Sequence, residues 1–341
     1  MRVAVYYNNK DVRIEERPVP EINDDELLIR AMASGICGTD VLEWYRIKKA
    51  PIVLGHEISG VVEKAGKNVK NFKVGDRVFV SHHVPCMSCY YCRRGNHTAC
   101  ETLHKTNFDP GGFSEYIRIP KINAEVGTFK LPANVSFEEG TFVEPLGTVV
   151  RAQRLANLKE DDTLLVVGSG IAGLIHIKLA KLKKIKNIIT VDINECRLNA
   201  AKRFGADYVF GANEDIASKI KKFNENRLAD VVIICTGALQ AAKQALQCVD
   251  KGGTIMFFAV PKPEEKLEIP MNDFWRNEVK IMTSYGAAPD DLKESIDLIK
   301  NKKINVNDMI THRLKLDDIQ KGFNLVAEAK ESLKVIVEPN K

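Results

Sequence analysis

Two unlike α/β domains are predicted from this sequence: a β-rich first domain followed by a doubly wound parallel sheet. Three features predict them: short apolar runs between turn signals in the first part of the chain, strand–helix alternation in the second, and a glycine-rich turn at the first strand–helix junction of that second part. With 341 residues, 45% of them hydrophobic, the chain has apolar material for a core in each domain.

In the first domain the expected strands are 3–6, 27–31, 59–63, 77–80 and 114–119, punctuated by turns such as Lys73 to Asp76 and Asp109 to Gly112. In the second they are 163–167, 187–191, 208–210, 230–235, 254–258 and 279–283, with helical patterns between them. Ile171, Leu174, Ile175, Leu179 and Leu182 recur on one face of the first of these helices. Strand–helix alternation predicts a parallel sheet covered on both faces. The tail carries an amphipathic helix at 292–299 and a strand at 334–337, and is expected to return to the first domain. The expected domains are therefore 1–146, 147–288 and a C-terminal return, 289–341.

Charge and composition exclude several classes of function. The net charge is +5, and the basic residues are scattered (Lys181, Lys183, Lys184, Lys186) with no aromatic residues interleaved, which argues against nucleic-acid binding. No apolar run approaches the ~20 residues of a membrane span. The first fourteen residues read as a strand and not as a signal peptide, so a cytoplasmic protein is expected. Eight cysteines in a reducing compartment are not a disulfide framework, and four of them crowd into 86–100, which points to a metal.

Cys86, Cys89, Cys92 and Cys100 form a C-x2-C-x2-C-x7-C pattern. Tight C-x2-C turns present sulfurs together, and Gly95 with the polar stretch 93–98 allows a loop that returns the fourth. Four thiolates suit tetrahedral zinc and leave no open position, so this zinc would be structural. Iron–sulfur ligation is the rival, but nothing else in the chain suggests an electron-transfer partner. His97 could in principle replace a cysteine; Cys100 completes an all-sulfur set.

Gly168, Gly170 and Gly173 spell G-x-G-x-x-G directly after strand 163–167 and at the start of a helix. The first glycine makes the tight turn, the second admits a pyrophosphate and the third lets helix pack on strand. Ile171 and Ala172 open the helix whose amides would meet the phosphates. Asp192 ends the next strand, 19 residues beyond Gly173. A carboxylate there accepts hydrogen bonds from the adenosine ribose and repels a 2′-phosphate, so NAD is favoured over NADP in a Rossmann domain. Arg197 could stack on adenine or partly accommodate a phosphate.

Cys37, Thr39, Asp40, His56, Glu57 and Glu144 lie in the first domain. Singly, Cys37 reads as a small core residue, His56 as a structural imidazole and Glu144 as a surface carboxylate. In combination they resemble a known family. The whole chain resembles the zinc-containing medium-chain dehydrogenases, a GroES-like domain joined to a Rossmann domain, and looks closest to their sorbitol (polyol) and threonine dehydrogenase branch. The motifs that carry the resemblance are C-G-T-D at 37–40, G-H-E at 55–57, V-G-D-R-V at 74–78, the four-cysteine lobe, G-G-F-S-E-Y at 111–116 and V-E-P-L at 143–146.

This resemblance implies two zinc ions per chain. Cys37, His56 and Glu57 would hold the catalytic one, with Glu144 binding that metal or its water and Asp40 orienting His56. Thr39 would hydrogen-bond the substrate oxygen and take its proton. Cys235 and Thr236 would touch the adenosine side of the cofactor. The backbone at Val260 and Ser284 would face the nicotinamide side. The implied reaction moves a hydride from a secondary alcohol (a polyol, sugar alcohol or vicinal diol) to NAD, giving a ketone. L-threonine or butanediol oxidation is the alternative among enzymes, and an NAD-binding sensor with only the structural zinc is the alternative outside them. Relatives of this type are dimers or tetramers, so a homo-oligomer is expected.

The chain departs from the family pattern at Leu42. Relatives commonly carry a histidine five residues after the ligand cysteine, at the end of a proton relay, and its absence speaks against threonine in particular. The relay would then leave through ribose and water or through a group such as Glu43. Trp44 and Tyr45, in the short loop 41–50, could line the pocket or merely pack. His82 and His83 read as exposed loop residues, with a place at the border of the active cleft as the alternative, and His176, Cys196 and Cys248 as packing or surface residues.

Overall fold

The structure, a computed structural model, describes residues 1–341. It divides into two compact units, Met1–Gly147 with Gly286–Lys341, and Thr148–Tyr285.

In the second unit six parallel strands form one sheet. Numbered in chain order (Thr163–Val167, Asn187–Asp192, Tyr208–Gly211, Ala229–Ile234, Val249–Phe257, Lys280–Thr283), they stand side by side as 3-2-1-4-5-6, the order of a dinucleotide-binding doubly wound sheet. All five residues of the central strand Thr163–Val167 are buried, as a strand covered on both faces requires. The helix Ile171–Leu182 follows it, burying Leu174, Ile175 and Leu179. The crossover from the first strand to the fourth opens a gap at the C-terminal end of the sheet, where the glycine-rich turn lies.

In the first unit a seven-stranded sheet is built around Leu27–Ile36, which pairs with Glu57–Ala65, with Tyr116–Ile119 and with the C-terminal strand Lys334–Glu338. A smaller sheet joins Asp11–Glu16, Arg2–Asn8 and Ile52–Val53. The helix Ile319–Glu328 closes this core: Phe323 lies 5.7 Å from Tyr6 and 5.8 Å from Phe113, ring centre to ring centre.

Four strands of this unit go beyond the sequence expectation: Asp11–Glu16, Ile52–Val53, Thr128–Lys130 and Ile310–Lys315. They are short or, like Asp11–Glu16, carry charges at most positions, so no period-2 apolar pattern marks them. Backbone pairing to a strong neighbour forms them instead. No helix is long and apolar enough to cross a membrane.

Candidate active site

Cys37 follows the longest strand of the first unit, Leu27–Ile36, and caps the short turn Gly38–Val41. The turn is closed at both ends: the Asp40 amide donates to the Cys37 carbonyl (3.0 Å), and the Cys37 amide donates to Asp40 Oδ2 (3.0 Å). Asp40 is fully buried, and its Oδ1 lies 3.4 Å from His56 Nδ1. This pairing fixes the ring and leaves its other nitrogen free to act as a donor toward a metal. Burial disfavours the charged imidazole, but Asp40 and Cys37 outweigh it and hold the His56 pKa well above the ordinary value.

His56 and Glu57 lie where the chain enters strand Glu57–Ala65. Gly55 has φ +91°, and a Cβ there would come within 2.9 Å of the Phe113 amide nitrogen, so only glycine allows this approach. Glu57 pairs across the sheet with Gly35. A Cβ at Gly35 would stand 2.1 Å from Glu57 Oε2, so its absence makes the space for the carboxylate. Glu57 Oε2 meets the ammonium of Lys334, and both side chains are fully buried. Glu57 Oε1 is buried with no hydrogen-bond partner. A buried carboxylate oxygen is costly to leave unpaired.

Cys37, His56 and Glu57 each offer a ligand atom, all within 4.8 Å of one another. One sulfur, one ring nitrogen and one carboxylate oxygen at that spacing fit a zinc ion with a further position open. Glu144, in helix Val143–Leu155, stands outside this trio. Burial pushes its carboxyl up to about 7, with His56 and Lys334 opposing and Glu57 and Asp40 adding to the shift. A cation beside it would favour the carboxylate.

His82 and His83 depart from the sequence expectation of exposed loop residues. The His82 ring centre is 4.9 Å from that of His56 and 3.9 Å from that of His83, and His82 Nδ1 is buried without a partner. Desolvation, then the neighbouring histidines, lower both pKa values, that of His83 to about 4. Two neutral imidazoles therefore border the donor trio. No sequence motif marks them; the signal was their place at the end of strand Arg77–Ser81, which pairs with Glu57–Ala65. Tyr45 is exposed and stacks under Arg46 and Lys49, and Trp44 leans on it at 5.8 Å.

The four-cysteine lobe is closed. Sulfurs on a tetrahedron of ~2.3 Å radius lie about 3.8 Å apart. The Sγ atoms of Cys89 and Cys92 are 3.5 Å apart and those of Cys86 and Cys100 are 3.6 Å apart, with all four within 4.8 Å of one another. The amides of Cys86 and Cys89 point at the sulfurs of Cys100 and Cys86 (3.4 and 3.3 Å). Backbone donors of this kind, from Ser88 first, bring the Cys86 thiol down to about 5. His97 is not part of the set.

In the second unit, Gly168 has φ +98°, and a Cβ on Gly173 would come within 2.0 Å of the Gly168 carbonyl oxygen. A Cβ on Gly170 would meet nothing within 4 Å, and no side chain caps the helix that begins at Ile171. The first-turn amides at Ile171 and Ala172 therefore face open space suited to a phosphate. Asp192 accepts from the amides of Ser169 (2.6 Å) and Asn194 (2.9 Å), which aims its carboxylate at the turn. A cavity of about 260 Å³ opens beside it, lined by residues that include Asp192, Ile193, Leu198, Asn213 and Glu214. Arg197 does not line it. Three carboxylates at this wall, those of Asp192, Glu195 and Glu214, suit a ribose and repel a phosphate. Cys235 and Thr236 follow strand Ala229–Ile234, with the Cys235 amide on the Val167 carbonyl (2.8 Å). Val260 is exposed, and the Ser284 amide donates to Phe257 (3.1 Å). His176 and Cys248 are buried in this unit, while Cys196 is exposed.

Comparison with known proteins gives the same picture. The family model of the alcohol dehydrogenase GroES-like domain matches residues 23–132, and that of the zinc-binding dehydrogenases matches residues 172–301. The chain is 33% identical to a probable D-xylulose reductase A of Aspergillus clavatus, over 94% of this chain and 91% of that protein. It is 32% identical to a sorbitol dehydrogenase of Bacillus subtilis, over 100% and 98%. The crystal structure of 2R,3R-butanediol dehydrogenase from Bacillus subtilis superposes with a TM-score of 0.87 at 28% identity, covering 99% of each chain. The chain belongs to the zinc-containing medium-chain alcohol dehydrogenases. Within them it falls in the polyol dehydrogenase branch, as an enzyme that uses zinc and NAD(P).

Proposed function

We propose that this enzyme oxidises a secondary alcohol of a polyol, sugar alcohol or vicinal diol to a ketone with NAD+ as hydride acceptor. The observation that carries the reading is the trio Cys37, His56 and Glu57 with Asp40 behind the ring and Thr39 on the adjoining turn. When bound there, zinc supplies the Lewis acidity that makes an alcohol give up its proton near neutral pH.

The chain's own residues do the rest. Asp40 holds the His56 ring in place, and Lys334 neutralises one oxygen of Glu57 while the other is buried without a hydrogen-bond partner. Glu144 stands as a further carboxylate for the metal or its water. Thr39 is placed to hydrogen-bond the substrate oxygen. In the second unit the turn at Gly168, Gly170 and Gly173 takes the pyrophosphate, and Asp192 takes the adenosine ribose and selects NAD. Cys86, Cys89, Cys92 and Cys100 hold the structural zinc.

Thiols used as metal ligands require a reducing compartment, which supports a cytoplasmic enzyme. The edge strand Lys280–Thr283 pairs on one side only, beside exposed Ile281, Met271 and Trp275, the last 75% exposed. An unpaired apolar edge of this kind supports a homo-oligomer, a dimer or a tetramer, joined there. A screen of NAD+ reduction over polyols, sugars, threonine and simple secondary alcohols, with metal analysis, tests the reading. Two zinc ions per chain and turnover of a polyol or diol are expected. One zinc and no turnover would favour an NAD-binding sensor.

A further inference from the structure

The turn that carries Thr39 lies under a cation, Arg46. Arg46 ends the short helix Glu43–Arg46, and its side chain is only 14% exposed. It folds back over the turn: Nε donates to the Thr39 carbonyl at 2.9 Å, while Nη2 lies 3.4 Å from Thr39 Oγ1 and 3.5 Å from Asp40 Oδ1. Neither the residue at the relay-histidine position nor Glu43 near it offers a free base to Thr39. Leu42 is 40% exposed and carries no polar atom, and Glu43 accepts from the Asn9 amide at 3.1 Å. The Thr39 hydroxyl thus faces a guanidinium where a relay would place a base.

A guanidinium has five donors, no acceptor and no loss of charge at working pH, so Arg46 cannot receive a proton from Thr39. We infer that Arg46 is a positioning residue that fixes the Thr39 hydroxyl as a hydrogen-bond donor toward the substrate oxygen. By donating to Oγ1 it occupies a lone pair, and the hydroxyl proton turns away from the cation. The substrate oxygen, which gains negative charge as its proton leaves, then meets a fixed donor backed by a positive charge. The balance of the reaction is unchanged: the alcohol loses a hydride to NAD+ and a proton to solvent. The inference rests on the alcohol-oxidising reading of the site given above.

The test is a cycle of Arg46→Ala, Arg46→Lys, Thr39→Val and Arg46→Ala with Thr39→Val. The measurements are kcat and KM for the best alcohol, zinc content and NADH binding. Arg46→Ala is expected to lower kcat about 10- to 100-fold, the cost of a lost hydrogen bond from a charged group, with two zinc ions and NADH affinity retained. Added guanidinium ion restores part of the loss, and Arg46→Lys loses less than Arg46→Ala. In the Thr39→Val background the further loss on removing Arg46 shrinks to less than about 3-fold, because residues that act as a unit are not additive. An unchanged kcat in Arg46→Ala would overturn the inference, as would a full additional loss in the Thr39→Val background. Loss of zinc from Arg46→Ala would overturn it too, since Arg46 would then act through Asp40 and His56. A wild-type enzyme that reduces no NAD+ with any alcohol would instead sink the reading on which the inference rests.

Discussion

The two donor sets of the first unit differ in how far apart along the chain their parts lie and in what stands behind them. Cys86, Cys89, Cys92 and Cys100 come from one stretch of fifteen residues, and the groups aimed at their sulfurs come from that stretch or the residues just after it: the amides of Cys86 and Cys89, the Ser88 hydroxyl, and Thr102 and Leu103. Cys37, His56 and Glu57 lie at the ends of two strands, and behind them stand other side chains: Asp40 on the histidine and Lys334, from the C-terminal strand, on the glutamate. Four sulfurs saturate a tetrahedral ion, whereas three mixed donors leave it reactive. A structural site can be built locally; a reactive one needs charges brought in from distant segments to hold unlike donors in place.

That contrast can be broken most sharply at Cys37. Cys37→Ser is expected to reduce turnover by at least about 10³-fold, since several kcal/mol of charge stabilisation are lost at ~1.4 kcal/mol per tenfold. NAD affinity, measured by fluorescence titration, should stay within a factor of a few, because the glycine turn lies in the other unit. Near-normal turnover in this variant would remove the proposed reactive site.

Lys334→Met tests the buried support. Removing one partner of a buried ion pair costs about 3–5 kcal/mol, because the other charge is left uncompensated. Denaturant unfolding should show most of this loss in metal-free protein and less of it in zinc-loaded protein, where the metal neutralises Glu57. Equal losses in both states would mean that Glu57 faces away from the metal.

Asp40→Ala is expected to weaken zinc at the reactive site by about 10- to 100-fold, the usual cost of losing the carboxylate behind a ligand histidine. Competition with a chromogenic chelator reads this directly, and the four-cysteine zinc should be untouched. In the wild type the same chelator should remove one equivalent of zinc well before the other. Simultaneous release would erase the distinction between an open and a closed site. The smallest effect is expected at Asp192: Asp192→Ala should raise the KM for NAD+ by about 10-fold, the loss of a hydrogen bond to charge, and narrow the preference over NADP+.

Much of this was legible from short-range patterns. The C-x2-C-x2-C-x7-C spacing and the G-x-G-x-x-G turn between strand and helix are local, and their geometry follows from the residues between the ligands. The central strands of the second unit announced themselves as apolar runs because they are buried on both faces. The first unit was harder to read. Asp11–Glu16 has one buried residue in six, so alternation could not reveal it. His82 and His83 look like polar loop residues in sequence, and only the pairing of Arg77–Ser81 with Glu57–Ala65 sets them against His56.

The amino-acid order alone determined the class of fold, the closed metal lobe and the cofactor turn, because each depends on periodicity or spacing within a few tens of residues. It also named the donors Cys37, His56 and Glu57, through motifs of two to four letters that resemble a family. Tertiary structure alone decided what acts on those donors. Lys334 reads as one more surface lysine until its strand pairs beside Gly35 and buries it against Glu57. Arg46 reads as part of a basic loop until it folds over Thr39. The physical reason is that a charge becomes consequential only when burial removes the solvent that would screen it, and burial is a property of segments far apart in the chain.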